Sequence, residues 1–259
     1  MLVTVDIGNT NIVLAVVDDG NWIHNFRLAT DTHKTSDEYF VIFNSLLKES
    51  NLDFSKVEKV IISSVVPFLN RSIQKNMKRL FGKEPILINH DKKTGLVRES
   101  IPSELGSDLL CNAAYAHYAH KDKNVMVVDF GTALTLTTVN KNGEVLGVAI
   151  APGLVTAVNA LFGNTAQLPQ VELKVPESAL GRDSQSSIRA GIMIGYADMV
   201  TSMIKRVEAE IDESLYVIAT GGLSNTIYPL IPRIDVVDGF HTLKGLALIA
   251  NLNEEESED

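Results

Sequence analysis

The sequence contains one strand–turn–strand pattern twice, and this repeat limits the folds that the chain can adopt. An Asp-x-Gly turn that begins at Asp6 and a tight-turn glycine at Gly20 recur at Asp129 and Gly143, in both cases 123 residues later. In each copy, an apolar strand ends at the aspartate, a second strand follows, and the later glycine closes a tight turn. The sequence therefore predicts two copies of one structural unit.

Each half alternates strands and helices in the order β-β-β-α-β-α-β. Strands joined by tight turns pair antiparallel, and strands joined through a helix pair parallel, so each half is predicted to form a mixed sheet. We predict an α/β protein with two mixed five-stranded sheets, each with flanking helices. The predicted boundaries are 1–115, 116–250 and an acidic, disordered tail at 251–259. The predicted strands lie at 2–6, 12–17, 22–28, 57–63, 85–88, 125–129, 134–139, 145–151, 216–219 and 234–237.

Composition excludes several classes of protein. Hydrophobic residues make up 45% of the chain, which is enough for a packed core, and the single cysteine, Cys111, excludes an intrachain disulfide. Five of the nine net negative charges come from the last six residues, which leaves −4 for the rest. An acidic body argues against a nucleic-acid partner. Without a signal-peptide pattern or an apolar run of about 18 residues, we expect no membrane partner and a cytoplasmic location.

The repeated turns have the composition of a phosphate site. A carboxylate at the end of a buried strand is costly unless it meets a cation or hydrogen-bond donors, and glycine allows the backbone to approach a ligand closely. Asn9-Thr10 and Thr132 add amide and hydroxyl groups next to these turns. Either copy alone is more typical of an ordinary β-turn. The pair predicts a nucleotide site in which backbone N–H groups hold phosphates and the aspartate faces a metal ion.

A third glycine turn lies near the end of the chain. Gly221 and Gly222 follow a predicted strand at 216–219 and precede a predicted helix at 224–230. A double glycine at this place would let an adenine ring lie against the backbone. The alternative is a plain loop between a strand and a helix, and alone this signal is weak.

The order Asp-x-Gly-Asn-Thr, Asp-x-Gly-Thr-Ala and Thr-Gly-Gly resembles the actin, sugar-kinase and heat-shock-ATPase superfamily, whose duplicated domains are ribonuclease-H-like. Further segments, which cover nearly the whole chain in the right order, resemble type III pantothenate kinases. They are Arg27-Leu-Ala-Thr30, Ser63-Ser-Val-Val-Pro67, Pro102-Ser-Glu-Leu-Gly-Ser-Asp108, Ala149-Ile-Ala-Pro-Gly-Leu154, Ala166-Gln-Leu-Pro169 and Leu243-Lys-Gly-Leu246.

This resemblance implies ATP-dependent phosphorylation of pantothenate to 4′-phosphopantothenate, the first step of coenzyme A synthesis. It implies a homodimer that uses Mg²⁺ with ATP and a monovalent cation, K⁺ or NH₄⁺, held by Asp129. Together with the glycine turns it gives the following ATP-binding residues: Asp6, Ile7, Gly8, Asn9, Thr10, Asn11, Ile12, Val13, Thr132, Gly221 and Gly222.

The resemblance also implies a pantothenate pocket in which Asp108 is the general base. The pocket residues are Glu99, Gly106, Ser107, Asp108, Leu109 and Ser184. Asp108 follows Gly106 at the start of a predicted helix, where aspartate is also common for reasons of helix stability alone. Leu109 stands where the family has arginine, Glu99 where it commonly has tyrosine, and Ser184 where it usually has threonine. Leucine replaces neither the charge nor the donors of arginine, so the pocket departs from the family pattern.

Two alternative functions remain open at this stage. The chain could be a kinase or ATPase of the same fold that acts on another small hydroxyl compound or acid, which the missing arginine favours. It could also be a nucleotide-binding accessory protein without catalytic activity. The presence of Asp6, Asp108 and Asp129 together argues against the second alternative.

Overall fold

The computed structural model describes residues 1–50, 52–163 and 171–253. These residues form two compact units, and each contains one of the predicted sheets. The first unit consists of Met1–Gly95, Ser103–Tyr115 and the residues from Thr242 onward, and the second of Leu96–Pro102 and Ala116–His241.

The first unit follows the predicted order of elements. Its sheet has the strand order β3-β2-β1-β4-β5, in which β1 pairs antiparallel with β2 and parallel with β4. The prediction of a mixed five-stranded sheet is confirmed. The elements are β1 (Leu2–Ile7), β2 (Asn11–Asp18), β3 (Asn21–Ala29), α1 (Ser36–Glu49), β4 (Lys59–Ser64), α2 (Pro67–Phe81), β5 (Ile86–Leu87) and α3 (Ser107–Ala119), whose last residues belong to the second unit.

The second unit repeats this topology. Its sheet has the order β10-β9-β6-β7-β8, which is the order of the first sheet with the corresponding strands in the corresponding places. The elements are β6 (Asn124–Phe130), β7 (Ala133–Val139), β8 (Val145–Pro152), α4 (Leu154–Gly163), α5 (Ser184–Ile211), β9 (Leu215–Thr220), α6 (Ser224–Ile227), β10 (Val236–Val237) and α7 (His241–Leu252), which continues into the first unit.

Alternation along the strands places two aspartates on the face opposite to the main core of each unit. In β1, Val3, Val5 and Ile7 point into a core that also contains Tyr39 and Phe43 of α1. Successive strand residues point to opposite faces, so the alternate residues of β1, among them Asp6, lie on the other face. In β6, Asp129 lies in the same way on the face opposite to the core of the second unit.

The unit boundaries differ from those that the sequence analysis expected. Residues 96–102 cluster with the second unit, where the Val97 N–H donates to the Gly143 carbonyl (2.8 Å). The final helix α7 clusters largely with the first unit, because Asn253 exchanges hydrogen bonds with the backbone of Lys93. The helix runs to Leu252, so residues 251–253 are not part of a tail, and residues 254–259 lie outside the described chain.

The two sequence repeats have a constant spacing of 123 residues, although two of their turns differ in length by one residue in opposite directions. Ile7 pairs with Ile12 across the first Asp-x-Gly turn, whereas Phe130 pairs with Leu134 across the second, which is one residue shorter. The tight turn after β7 is correspondingly one residue longer, because Asn140 pairs through its N–H with the Glu144 carbonyl (3.0 Å). Because the two differences cancel, Gly20 and Gly143 are again 123 residues apart, as Asp6 and Asp129 are.

The long helix α5 carries four small residues, Ala190, Gly191, Gly195 and Ala197, which do not form one close-packing face. Ala190 and Ala197 instead point inward and are 2% exposed, whereas the two glycines are on the exposed side with open space around them. The reason is the helical period, which places positions 190, 193, 197 and 200 on one face and positions 191 and 195 on another.

Two further points concern single segments. None of the helices in the described part of the chain is long and apolar enough to cross a membrane. The Ala166-Gln-Leu-Pro169 motif lies outside the described residues.

Gly245 of α7 is predicted to be essential for packing within the first unit. A Cβ atom added there would lie 2.6 Å from the Cys111 carbonyl carbon and closer still to its oxygen. Gly245→Ala should therefore force backbone movement and lower the free energy of unfolding by about 1–3 kcal/mol, as overpacked sites do. The matched control is Gly191→Ala, which enters open space in a helix and should stabilise the protein by up to about 1 kcal/mol. Urea unfolding measures both, and equal effects would contradict this account.

Candidate active site

The ends of two parallel strands and the start of one helix meet in the first unit. Asp6 near the end of β1 is the register partner of Ser63 near the end of β4. The Val65 N–H after β4 donates to the Ile7 carbonyl (3.0 Å), which extends the pairing past the last strand residue. Functional groups commonly collect at the carboxyl ends of parallel strands, and this is the place where the polar residues of the first unit converge.

The start of α3 is bound to this strand end through Ser107. The Ser107 hydroxyl accepts a hydrogen bond from the Ser64 N–H (2.9 Å) and donates to the Ser64 carbonyl (3.0 Å). Its oxygen also lies 3.0 Å from the hydroxyl oxygen of Ser63, which is fully buried. The first turn of α3 is therefore held against the end of β4.

Asp108 follows Ser107 and is the candidate general base. Its Oδ1 accepts a hydrogen bond from the Leu109 N–H (2.8 Å). A Cβ atom at position 106 would lie 2.6 Å from the same Oδ1, so glycine is needed there for this carboxylate position. Burial raises the pKa of the Asp108 carboxyl above its usual value, and hydrogen bonds from backbone N–H groups offset this only in part. A raised pKa is what a carboxylate needs in order to accept a proton near neutral pH.

Cys111 lies one helical turn after Ser107 and completes the buried part of this cluster. Burial raises the pKa of the Cys111 thiol well above its usual value, and the charges of Asp6 and Asp108 raise it further. A hydrogen bond with Ser63 lowers it by less. The thiol therefore stays protonated and is unsuited to act as a nucleophile.

The turn after β1 has a backbone conformation fixed from two sides. The Gly8 N–H donates to the Asn11 carbonyl (2.9 Å), and the Thr10 carbonyl accepts from the Thr30 N–H (2.9 Å). The Thr30 hydroxyl donates to the Gly8 carbonyl (2.6 Å). Asn9 and Thr10 are exposed at the tip of the turn. Two turn carbonyls are thus engaged by Thr30, while the tip faces solvent.

Of the eight consecutive ATP-binding residues expected from 6 to 13, two lie with their side chains in the apolar core. Ile7 and Ile12 are 0% exposed and pack in the core of the first unit. Any contact of these two residues with a ligand would have to use the backbone.

The corresponding turn in the second unit is supported in a similar way. The Thr132 carbonyl accepts from the Gly153 N–H (3.0 Å) and from the Thr156 hydroxyl (2.7 Å). A Cβ atom at Gly153 would lie 2.5 Å from that carbonyl oxygen, so only glycine allows this approach. In each unit, the Asp-x-Gly turn is thus held by residues that follow the third strand in sequence. They are Thr30 after β3, and Gly153 and Thr156 after β8.

Gly221 packs directly against Asp129. It has a φ of +89°, and an added Cβ atom would collide with Oδ1 of Asp129 and lie 2.7 Å from the Phe130 backbone. Thr220, immediately before it, is the register partner of Asp129. The Ser224 hydroxyl donates to the Gly221 carbonyl (2.8 Å), while Gly222 is exposed. Asp129, Gly221 and Gly222 are therefore brought together.

The remaining expected residues occupy different places. Leu109 is in the first unit and only 7% exposed. Glu99 and Ser184 are exposed residues of the second unit, Glu99 in a single helical turn at Arg98–Ser100 and Ser184 in the first turn of α5 after its N-cap, Asp183.

Sequence reasoning missed the residues that hold the site together. Ser63 and Ser64 belong to the segment at 63–67 that resembles the family, but the sequence alone indicates no role for them or for Cys111. Thr30 and Gly153 likewise belong to recognised motifs without an assigned function. The available signal was a pair of polar residues at the end of the apolar strand Lys59–Ser64, which is the same pattern that drew attention to Asp6.

The raised pKa of Asp108 makes a prediction about stability. A carboxyl whose pKa is raised on folding stabilises the folded state below its unfolded pKa of about 3.9, and this contribution is lost as the pH rises through the folded pKa. Asp108→Asn should therefore have a higher melting temperature than the wild type at pH 7.5, with the difference vanishing near pH 4. Calorimetric scans across this range measure the difference.

Asp183→Asn is the matched control. Hydrogen bonds from Ser186 lower the pKa of the exposed Asp183 carboxyl, so its contribution is present at neutral pH and lost on acidification. This variant should be less stable than the wild type at pH 7.5. A lower melting temperature for Asp108→Asn at pH 7.5 would show that the Asp108 charge does not oppose folding.

Comparison with known proteins gives the family. The model of the family described as type III pantothenate kinase matches residues 2–206. Proteins named type III pantothenate kinase from Geotalea daltonii and Geobacter sulfurreducens are each 38% identical over 256 residues, which is 98% of this chain and 100% of theirs.

Solved structures show the fold. A 2-dehydro-3-deoxygalactonokinase protein from Sinorhizobium meliloti has a TM-score of 0.62 at 13% identity and covers 100% of this chain and 99% of its own. A Baf family transcriptional activator from Campylobacter jejuni has a TM-score of 0.59 at 19% identity and covers 96% of this chain and 97% of its own. The expectation of duplicated actin-like ATPase domains is confirmed. The chain belongs to the type III pantothenate kinase family.

Proposed function

We propose that the chain transfers the γ-phosphoryl group of ATP to the 4′-hydroxyl group of pantothenate, which is the first step of coenzyme A synthesis. The observation that carries the proposal is the partly buried Asp108 carboxylate, fixed at the start of α3 beside the end of β4. Family membership supplies the reaction, and the position of this carboxylate supplies its proton acceptor.

Asp108 accepts the proton of the attacking hydroxyl group. In the transfer, the hydroxyl oxygen forms a bond to the γ-phosphorus, the bond from that phosphorus to the bridging oxygen breaks, and ADP leaves. The hydroxyl proton passes to the Asp108 carboxylate. Phosphoryl transfer depends mainly on positioning and on neutralisation of charge, so a fixed carboxylate with a raised pKa suits this role.

The Asp-x-Gly turns hold the phosphates. In the first unit, the exposed tip of the turn at Gly8 to Thr10 contacts the phosphates. In the second unit, Thr132 lies in the corresponding turn. Gly221 and Gly222 leave room for the adenine ring, since no side chain fits at Gly221 without meeting Asp129. These roles account for the glycines that the fold requires at each turn.

A divalent ion, Mg²⁺, enters together with the nucleotide. The described residues contain no group of three or more His, Cys, Asp or Glu side chains that could hold a metal ion by themselves. Mg²⁺ in kinases is commonly bound by one or two carboxylates and by the phosphates of the substrate, which fits a single carboxylate such as Asp6. When bound, the ion neutralises charge on the phosphates.

Asp129 holds a monovalent cation, K⁺ or NH₄⁺. Thr135 lies opposite Asp129 across the β6–β7 pairing and on the same face of the sheet. Its hydroxyl oxygen is buried without a hydrogen-bond partner, which makes it a suitable second oxygen ligand. A carboxylate and an unused hydroxyl fit a cation with oxygen ligands.

Leu109 favours one alternative substrate class. The family arginine would bring charge to an acid-binding pocket, whereas Leu109 is buried and apolar. A kinase for another small hydroxyl compound is therefore the second candidate. Under the first proposal, Gly106, Glu99 and Ser184 contribute to the pantothenate pocket, and Ser107 contributes through its backbone.

The active form is a homodimer. The second unit exposes large apolar side chains on β8 and α4, among them Ile150 (69% exposed) and Val155 (48%). Such side chains are common where a second subunit packs. A mass of one chain, 28.3 kDa, by sedimentation at micromolar concentration would contradict the dimer.

The cation assignment predicts a salt effect on turnover. Potassium and ammonium chloride should stimulate the kinase well beyond sodium chloride at equal ionic strength, because the larger ions suit a site of few protein oxygens. In Asp129→Asn the three salts should give similar rates. Initial rates in a coupled ADP-release assay measure this, and equal wild-type rates in all three salts would remove the cation from the proposal.

The reaction itself is tested by ATP turnover with and without pantothenate, with the phosphorylated product identified by mass spectrometry. Asp108→Asn should keep ATP affinity, because asparagine has nearly the same shape, and should lose about 10²–10⁴-fold in kcat. The control Asp183→Asn changes a carboxyl at the start of another helix and should keep kcat within about twofold.

Two results would contradict this proposal. ATP turnover that is independent of pantothenate but stimulated by another small hydroxyl compound would favour the alternative substrate. Wild-type kcat in Asp108→Asn would place the proton acceptor elsewhere.

A further inference from the structure

Two hydroxyl groups meet where α3 begins. The oxygens of Ser63, 0% exposed in β4, and Ser107, the first residue of α3, are 3.0 Å apart. Ser63 follows the buried apolar residues Val60, Ile61 and Ile62 of β4, so burial at this position gives no reason of its own for a hydroxyl side chain.

The hydrogen-bonding capacity of Ser107 is fully used within the protein. A serine hydroxyl has one proton to donate and two lone pairs that accept. Ser107 donates to the Ser64 carbonyl and accepts from the Ser64 N–H. In the remaining contact Ser63 must therefore be the donor, which fills the second lone pair of Ser107.

The order of donors is therefore Ser63 to Ser107 and Ser107 to the Ser64 carbonyl. Buried polar groups with all partners present fix a structure, whereas the loss of one member leaves the others unsatisfied. This chain of hydrogen bonds ties the first turn of α3 to the end of β4.

We propose that the Ser63–Ser107 hydroxyl pair is a positioning device that sets the location of the Asp108 carboxylate, and that the Ser107 hydroxyl does not bind the substrate. The inference rests on the proposed function of Asp108 as proton acceptor. Asp108 is the next residue after Ser107, so a shift of the first turn of α3 moves its carboxylate directly. A misplacement of about 1 Å in an active site can cost about 10²-fold in rate.

The test uses three variants of the full-length enzyme and one control. Ser107→Ala removes the central hydroxyl and should lower kcat about tenfold while changing KM for pantothenate less than twofold. Ser63→Ala leaves both bonds between Ser107 and Ser64 and should cause a smaller loss of kcat. Ser107→Thr retains the hydroxyl and should recover most of the wild-type kcat. Ser103→Ala, an exposed serine in the same segment, is the control and should match the wild type.

A second measurement needs no substrate. Hydrogen–deuterium exchange of a peptide that covers residues 105–112 should be at least severalfold faster in Ser107→Ala than in the wild type, with peptides from β6 and β7 unchanged. The exchange comparison separates the two proposals. A wild-type enzyme that does not phosphorylate pantothenate contradicts the proposed function, while the exchange of the α3 peptide still tests the hydrogen-bonded device.

Several results would overturn the inference. A raised KM with unchanged kcat in Ser107→Ala would make Ser107 a substrate-binding residue. Unchanged kcat and KM, or unchanged exchange of the α3 peptide, would show that the hydroxyl pair does not position the helix. Failure of Ser107→Thr to recover kcat would assign the loss to side-chain size instead of the hydroxyl.

Discussion

The parallel pairing of β1 with β4 is the constraint on which the first unit depends. It places Asp6 beside Ser63 at one edge of the sheet, and the next hydrogen bond, from Val65 to Ile7, carries the pairing up to the turn. Ser107 then fixes α3 on the same strand end. Because the helix is fixed there, its second residue, Asp108, is held in a buried environment that raises its pKa. The chemistry of the site follows from this one point of convergence.

Glycines are required where backbone or carboxylate must come closer than a Cβ atom allows. Gly106 and Gly221 each leave room for the carboxylate of an aspartate, and Gly153 and Gly245 each let one backbone approach another. These contacts explain four glycines in terms of the groups that they admit. At Gly221 a positive φ adds a second reason, because residues with a side chain rarely adopt that conformation.

The sequence predicted what depends on local pattern and could not predict what depends on packing. The strand alternation and the turn glycines led to both sheets, and the Asp-x-Gly repeat led to Asp6 and Asp129. The register of β2 and β7 was not predictable from the repeat. The Asp-x-Gly turns differ in length by one residue, and the tight turns after β2 and β7 cancel this difference. The split of the small residues on α5 and the partners of Ser63 depend on which elements pack together. No spacing in the sequence contains that information.

The duplication explains why the chain has two Asp-x-Gly turns but one candidate base. In the order of elements, α7 of the second half corresponds to α3 of the first. The start of α3 carries Ser107 and Asp108, whereas the start of α7 carries His241 and Thr242. His241 is 1% exposed with its ring 3.6 Å from the Asp238 carboxylate, and Thr242 donates to Asn112 of α3 (2.8 Å). The second copy of this helix has thus become a packing element that supports the first. The Asp-x-Gly turn is thus present in both halves, whereas the proposed transfer moves a single hydroxyl proton and requires a single acceptor.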